Sequence, residues 1–219
     1  MFETIQKMNS TLPLFHVTNP AFQQYGEIIK TLDPTDLLAT LATKETPLVG
    51  NHYVTSDAAL EKSSLKGALE QKIFAGLPIE MGYCNGHSYQ LNCLEWHHSP
   101  EVNVATEDII LFLGQTRQLK NAYYNVRDLK AFYIPAGTMI MIYGTTLHFV
   151  PCQTTRRGFK CLVALLQGVN TDLPHRQRPI DTLFKRSKWL ITHPDNQKFV
   201  AQGAFPGIIG ENYAVKSAS

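Results

Sequence analysis

No apolar run in this chain is long enough to cross a bilayer; the longest, such as Ile109–Leu113 and Met139–Tyr143, stop far short of a membrane span. No basic start followed by an apolar stretch marks an export signal, so a cytoplasmic location is expected. An excess of charge is missing too: 20 Lys and Arg against 18 Asp and Glu leave a formal net charge of +2, and the basic residues are scattered. That excludes a nucleic-acid or anionic-membrane footprint and leaves a small molecule as the expected partner. Cysteine is sparse and lacks zinc-ribbon spacing, since Cys84 and Cys93, like Cys152 and Cys161, are separated by eight residues. Buried, reduced thiols are expected. No internal repeat or low-complexity tract is present.

What remains is 219 residues, enough for one domain with a substantial core, and its texture changes along the chain. Residues 1–78 read as helix and loop, a helical extension packed on the barrel predicted below for residues 79–167. Asn19 can cap a helix with Pro20 at its first position, placing Phe22, Tyr25, Ile29 and Leu32 on one face. Further helices are expected near Asp36–Leu41 and from Ser64 to Ala75. Residues 79–167 turn to short β-branched and aromatic runs punctuated by Gly, Pro and Asn. The expected strands are Ile79–Cys84, Ser88–His97, Ile109–Leu113, Ala122–Tyr124, Phe132–Ile134, Thr138–Tyr143, Leu147–Cys152 and Phe159–Leu166. That pattern predicts a mainly β protein, a single antiparallel jelly-roll barrel. Residues 168–219 are expected as a polar loop through Pro174 and Pro179, a helix over Ile180 to Ile191, and a Gly-rich tail able to cover a pocket or wrap a second copy.

The richest set of metal-ligand residue types lies in Leu94-Glu95-Trp96-His97-His98-Ser99-Pro100-Glu101-Val102-Asn103. Strand alternation sends Glu95 and His97 to one face about 7 Å apart, and a turn at Pro100 returns Glu101 to it. Trp96, of opposite parity, is expected to pack. A closing ligand is expected from Ile134-Pro135-Ala136-Gly137 through Gly144-Thr145-Thr146-Leu147-His148, where Pro135 and Gly137 turn into one strand and His148 opens the next facing inward. Each residue alone would be an ordinary strand residue; together, Glu95, His97, Glu101 and His148 form a mixed nitrogen and oxygen set suited to Mn²⁺, Fe²⁺, Ni²⁺ or Zn²⁺.

The stretch from Gly86 to Gly114 resembles the first cupin motif, in which a glycine precedes a ligand, one residue, a histidine, three or four residues and a glutamate. Glu95 stands where cupins most often have histidine. Pro135-Ala136-Gly137 to His148 resembles the second motif in a longer form. The chain is most similar to cupins of the ureidoglycolate lyase type, through Leu94-Glu95-Trp96-His97, the Gly144-Thr145 to His148 segment and the opening Asn19-Pro20-Ala21-Phe22. With Lys188-Trp189 and Gly210-Glu211-Asn212, it resembles a bacterial cupin family found among sugar-utilisation proteins. The resemblance implies a double-stranded β-helix barrel with N-terminal helices, a C-terminal helix and a tail.

It also implies a metal-dependent enzyme acting on a sugar, a sugar phosphate or a sugar-derived hydroxy-carbonyl compound, as an isomerase, epimerase or lyase. Glu101 is the first candidate base and Lys160, inside the final strand, the second. His87, Asn103 and Tyr143 are candidate substrate contacts by position, and Arg157, beside Arg156, is a candidate anion contact or a solvated turn residue. Ureidoglycolate lyase activity and a non-catalytic sugar-binding or regulatory barrel are the alternatives. A homodimer is expected because such barrels expose a sheet edge.

Overall fold

The architecture was taken from a computed structural model, which describes residues 1–173 and 180–218. Among them no helix is long and apolar enough to cross a membrane. The expected loop at Pro174 to Pro179 lies outside the described residues. The chain opens with a helix, α1 (Phe2–Met8), then strands β1 (Leu14–His16) and β2 (Gly26–Ile28), helix α2 (Thr35–Ala42), strand β3 (Asn51–Val54) and helix α3 (Leu65–Lys72). Strands β4 (Ile79–Gly86), β5 (Cys93–His97), β6 (Glu101–Ala105), β7 (Ile109–Gln115), β8 (Tyr124–Asn125) and β9 (Lys130–Ile134) come next. The series continues with β10 (Ile140–Ile142), β11 (Thr146–Leu147), β12 (Cys152–Gln153), β13 (Phe159–Leu166), β14 (Leu183–Lys185) and β15 (Lys188–Thr192). Helix α4 (Gln197–Ala201) and strand β16 (Ile208–Ile209) close it.

Two sheets face each other in a cupin-like β-sandwich. One runs β2-β10-β6-β13-β4-β3; the other runs β1-β9-β7-β11, with β12 also on β7. Alternation along β13 explains the layering. Cys161, Val163 and Leu165 point between the sheets, where they meet Leu111, Phe132 and Ile142. Leu162 and Ala164 point outward under α2 and α3, packing on Leu37, Leu41 and Leu69. The outer face of the second sheet is covered by Ile5 of α1 and by Ile208 and Val215 of the tail. Both faces of each sheet are therefore apolar, and the near-continuous hydrophobic run of β13 follows from that double burial.

Several boundaries differ from the sequence expectation, each for a physical reason. The helix from Asn19 shrinks to one 3-10 turn, Pro20–Gln24, with Asn19 Oδ1 accepting from the Ala21 amide as a cap. The chain then extends into β2, because pairing with β10 brings Gly26 so close that a Cβ there would lie 2.1 Å from the Met141 carbonyl oxygen. The strand expected over Leu147–Cys152 is split into β11 and β12; Pro151, between them, has no amide to donate to a ladder. The C-terminal helix expected over Ile180 to Ile191 is instead the hairpin β14 and β15, docked on β5. Its Lys-Trp-Leu-Ile-Thr stretch is rich in aromatic and β-branched residues and is buried along its second half, as a strand covered on both faces should be. The first 78 residues, expected as helix and loop, contribute three strands, two of them (β2 and β3) at the edges of the larger sheet.

Gly82 of β4 has a similar constraint on the side of β3, since a Cβ there would lie 1.8 Å from the Val54 carbonyl oxygen. Gly82→Ala must part β3 from β4 and is expected to cost about 2–3 kcal/mol. Thermal unfolding of the variant checks this, and an unchanged Tm would refute the close approach.

Candidate metal centre

Glu95 and His97 are carried by β5, Glu101 opens β6, and His148 follows β11. Pro100 does more than turn the chain: β5 pairs with β15 in a separate three-stranded sheet, whereas β6 belongs to the six-stranded sheet. The two strands still converge at their adjoining ends. His148 is brought in by the backbone, for the Glu95 amide donates to the His148 carbonyl at 2.7 Å and the His148 amide to the Glu95 carbonyl at 2.9 Å.

One potential donor atom from each of the four residues lies within 4.8 Å of the other three. All four side chains are buried, His97 to 1% exposure and Glu95, the most open, to 8%. Glu101 Oε2 sits 3.2 Å from His148 Nε2 and 3.4 Å from His97 Nε2, and Glu95 Oε1 is 3.8 Å from His97 Nε2. Asn103 Nδ2 donates to Glu101 Oε1 at 2.9 Å and to the Leu162 carbonyl, which leaves Oε2 free to face the imidazoles. The other carboxylate is held at Oε2 by the Lys188 ammonium of β15.

The imidazoles are oriented from behind. His97 Nδ1 lies 3.0 Å from the Ser187 carbonyl and His148 Nδ1 2.9 Å from the Thr146 carbonyl. A carbonyl only accepts, so both rings carry a proton on Nδ1 and turn Nε2 toward the carboxylates, the arrangement that metal-ligating histidines adopt. His97 Nε2 is buried and makes no hydrogen bond. With Nδ1 protonated, each Nε2 faces carboxylate oxygens and needs a positive partner there, a proton in the metal-free cluster or a cation in its place, so these residues could hold a divalent ion. Two nitrogens and two oxygens suit a transition metal of the Mn to Zn series.

In the metal-free cluster, charge settles on the same atoms. Burial works against ionised Glu95, but Lys188 and then His97 outweigh it and hold the carboxyl down at about 2. Glu101 is also held well below the usual carboxylate range, burial being outweighed by His148 and His97. For His97 burial opposes the charged form, yet Glu101 and Glu95 push it up to about 9.

The cluster opens onto a cavity of about 140 Å³ lined by Glu95, Glu101 and His148 together with Asn51, Tyr53, Asn103, Asn170 and Lys188. Its apolar wall comes from Leu111, Phe149, Val150, Pro151, Val163 and Phe199. Of the other residues singled out in the sequence, only Asn103 is here. Lys160 shares the parity of Leu162 and Ala164, so it faces outward and its Nζ donates to the Ala42 carbonyl at 2.6 Å. Tyr143 donates its hydroxyl to Glu27 in a surface cleft, His87 contacts Gln153, and exposed Arg157 lines a different depression beside Glu107 and Asp108. Trp96 packs on Trp189, ring centroids 6.3 Å apart, on the opposite face of β5. Lys188, Tyr53 and Asn170 were missed as site residues; the usable signal was a lysine opening an alternating apolar strand. The four cysteines are free and buried, and burial pushes the Cys84 thiol, on the cavity wall, up to about 12.

Fold and site together define a cupin-type β-sandwich with a buried His and Glu cluster able to hold a metal ion. The chain belongs to the family described as domain of unknown function DUF4867, which it matches over residues 14–213. No curated protein matches it. Among solved structures it is similar to the non-heme alpha ketoglutarate dependent epimerase SnoN from nogalamycin biosynthesis, at 16% identity and TM-score 0.39, covering 69% of this chain and 84% of that one. It is similar also to a recombinant oxalate oxidase in complex with glycolate, at 10% identity and TM-score 0.25, covering 58% of this chain and 60% of that one. These overlaps are partial, and the fold assignment rests on the strand topology itself.

Metal and proton compete for His97. With its value raised from 6.5 to about 9, the His97 contribution to metal-free stability is complete below about 6.5 and lost as pH rises through 9. The Glu95 contribution, with its value lowered from 4.5 to about 2, is present above 4.5 and lost as pH falls. The Tm increment on adding Mn²⁺ should therefore grow steadily from about pH 6 toward pH 9. Thermal denaturation with and without the ion at several pH values measures it, and an increment that is flat or falls over that range would contradict the ligand geometry.

Proposed function

We propose that the protein is a metal-dependent enzyme acting on a small, sugar-derived hydroxy-carbonyl compound as an isomerase, epimerase or lyase. One observation carries this reading: four donor atoms converge, one of them a buried imidazole nitrogen of His97 with no hydrogen bond, and the other three residues, Glu95, Glu101 and His148, border a cavity sized for a small molecule. When bound, a divalent ion supplies Lewis-acid polarisation of the carbonyl and the hydroxyl beside it, which makes the intervening C–H more acidic.

The chain's own residues supply the rest. Glu95, His97 and His148 are the holding groups. Glu101 is a fourth donor and not the base, because Asn103 fixes one oxygen, the other lies between two imidazoles, and a carboxylate held so far below its usual range is a weak proton acceptor. Phe149, Val150, Pro151 and Phe199 keep water from the cavity wall. Tyr53, whose hydroxyl is pushed well above its usual value by burial, keeps its proton on Oη and can donate to a substrate oxygen.

Elemental analysis of gently purified protein should find about one transition-metal ion per chain, and His97→Ala should lose it. Metal-loaded protein should then exchange solvent deuterium into at least one member of a panel of small aldoses, ketoses and hydroxy acids. Release of glyoxylate and urea from ureidoglycolate would select lyase chemistry. Absence of stoichiometric metal, also after incubation with Mn²⁺, Fe²⁺, Ni²⁺ or Zn²⁺, would leave a ligand-holding barrel and end the enzymatic reading.

A further inference from the structure

Charge, size and one unused acceptor narrow the occupant of this cavity, on the metal-bound reading above. Once a divalent ion sits among the four donors, its charge is matched by Glu95 and Glu101, and the imidazoles are neutral. With Lys188 added, the described residues that line the cavity then carry one net positive charge. Lys188 cannot turn to water, since its side chain is only 14% exposed and its Nζ lies against Glu95 and 6.0 Å from the Phe149 ring centroid. Net charge in a largely enclosed site is unfavourable, so a loaded site is complementary to a ligand carrying one negative charge.

The acceptor is Asn170. It is 7% exposed and lines the cavity, and its Nδ2 donates to the Tyr53 hydroxyl oxygen at 3.1 Å, while its Oδ1 has no partner. Its backbone is pinned in the left-handed region, φ +64°, by an amide bond to the Arg186 carbonyl in the hairpin that carries Lys188. A buried carbonyl oxygen without a donor is unfavourable, and a hydroxyl on the ligand would satisfy it. Tyr53, having accepted from Asn170, still has its own hydrogen to give. The cavity itself, about 140 Å³, suits a small ligand.

We infer that the metal-loaded site is selective for a small monoanionic hydroxy acid, its carboxylate received by Lys188 and Tyr53 and its hydroxyl hydrogen by Asn170 Oδ1. Lys188 and Asn170 are thus specificity-determining residues.

Titration calorimetry of Mn²⁺-loaded protein with lactate, lactamide, propionate and D-fructose tests this, with metal content measured on every sample. Lactate should bind at least tenfold more tightly than neutral lactamide, and more tightly than propionate or fructose. Lys188→Met should shrink the lactate preference over lactamide to within about twofold while Lys188→Arg keeps it. Asn170→Ala should shrink the preference over propionate and leave that over lactamide. Lactamide or fructose binding as tightly as lactate to wild-type protein would overturn the inference without touching the metal reading, and so would a Lys188→Met protein that retains metal and the full preference. Should Lys188→Met not fold, the wild-type ratios and Asn170→Ala decide. Failure to load any of Mn²⁺, Fe²⁺, Ni²⁺ or Zn²⁺ would instead sink the function proposed above.

Discussion

Two carboxylates buried beside two imidazoles set the terms on which this protein folds. Taking one ion out of water costs several kcal/mol after relaxation, and Glu95 and Glu101 are both almost wholly enclosed. The surrounding structure compensates group by group. Asn103 takes one oxygen of Glu101, the histidines face the other, and Lys188 takes one oxygen of Glu95. Each compensating group comes from a different part of the fold: β6, β5 with the β11 segment, and β15. The cluster is therefore complete only when both large sheets and the C-terminal hairpin are in place.

The two histidines sit differently against the carboxylates. His148 Nε2 lies 3.2 Å from Glu101 Oε2, within hydrogen-bond reach. His97 Nε2 has carboxylate oxygens at 3.4 and 3.8 Å and no hydrogen bond to either, although its Nδ1 is well paired. The gap between the His97 ring and the carboxylates is wider than a hydrogen bond needs, as a shared cation would require. Glu101 Oε2 lies between the two imidazoles while Asn103 takes its other oxygen.

The convergence of Glu95, His97, Glu101 and His148 was legible because they occupy two short stretches whose local grammar is strong. Glu95 and His97 alternate on one strand, and His148 follows a Gly-Thr-Thr turn. The two-sheet architecture was legible for the same reason, since β4, β7, β9 and β13 are long or strongly patterned and lie close to their expected ranges. What escaped was whatever depends on distant pairing. Helical spacing at Phe22, Tyr25 and Ile29 was overridden because β10 recruits Gly26–Ile28 as an edge strand. The Ile180 to Ile191 segment became a hairpin because β5 offered it an edge. Lys160 entered as the second candidate base by its place in the final strand, whereas Cys161, Val163 and Leu165 claim the interior parity there, so alternation along the strand already argues for its outward position.

The hairpin has a consequence for how cavity and charge are linked. β15 pairs with β5 in a register that sets Leu190 opposite Glu95 and Lys188 opposite His97. A slip of one residue would turn Lys188 to the outer face, send Trp189 inward and leave Glu95 unmatched. Register is held from both sides: Trp96 stacks on Trp189 outside, while Leu190 is fully buried with Cys93 and Ala204 inside, beside Phe149 and Phe199. Phe199, on α4, packs edge-on against Phe149, ring centroids 5.6 Å apart, so the segment that delivers the ammonium also closes the apolar wall. Ser187, at the turn of the same hairpin, gives its carbonyl to His97 Nδ1. Docking of one short element thus orients His97 and pairs Glu95, while α4, which follows it in the chain, adds Phe199 to the cavity wall. A mutation that loosens the hairpin would therefore disturb His97 and Glu95 together.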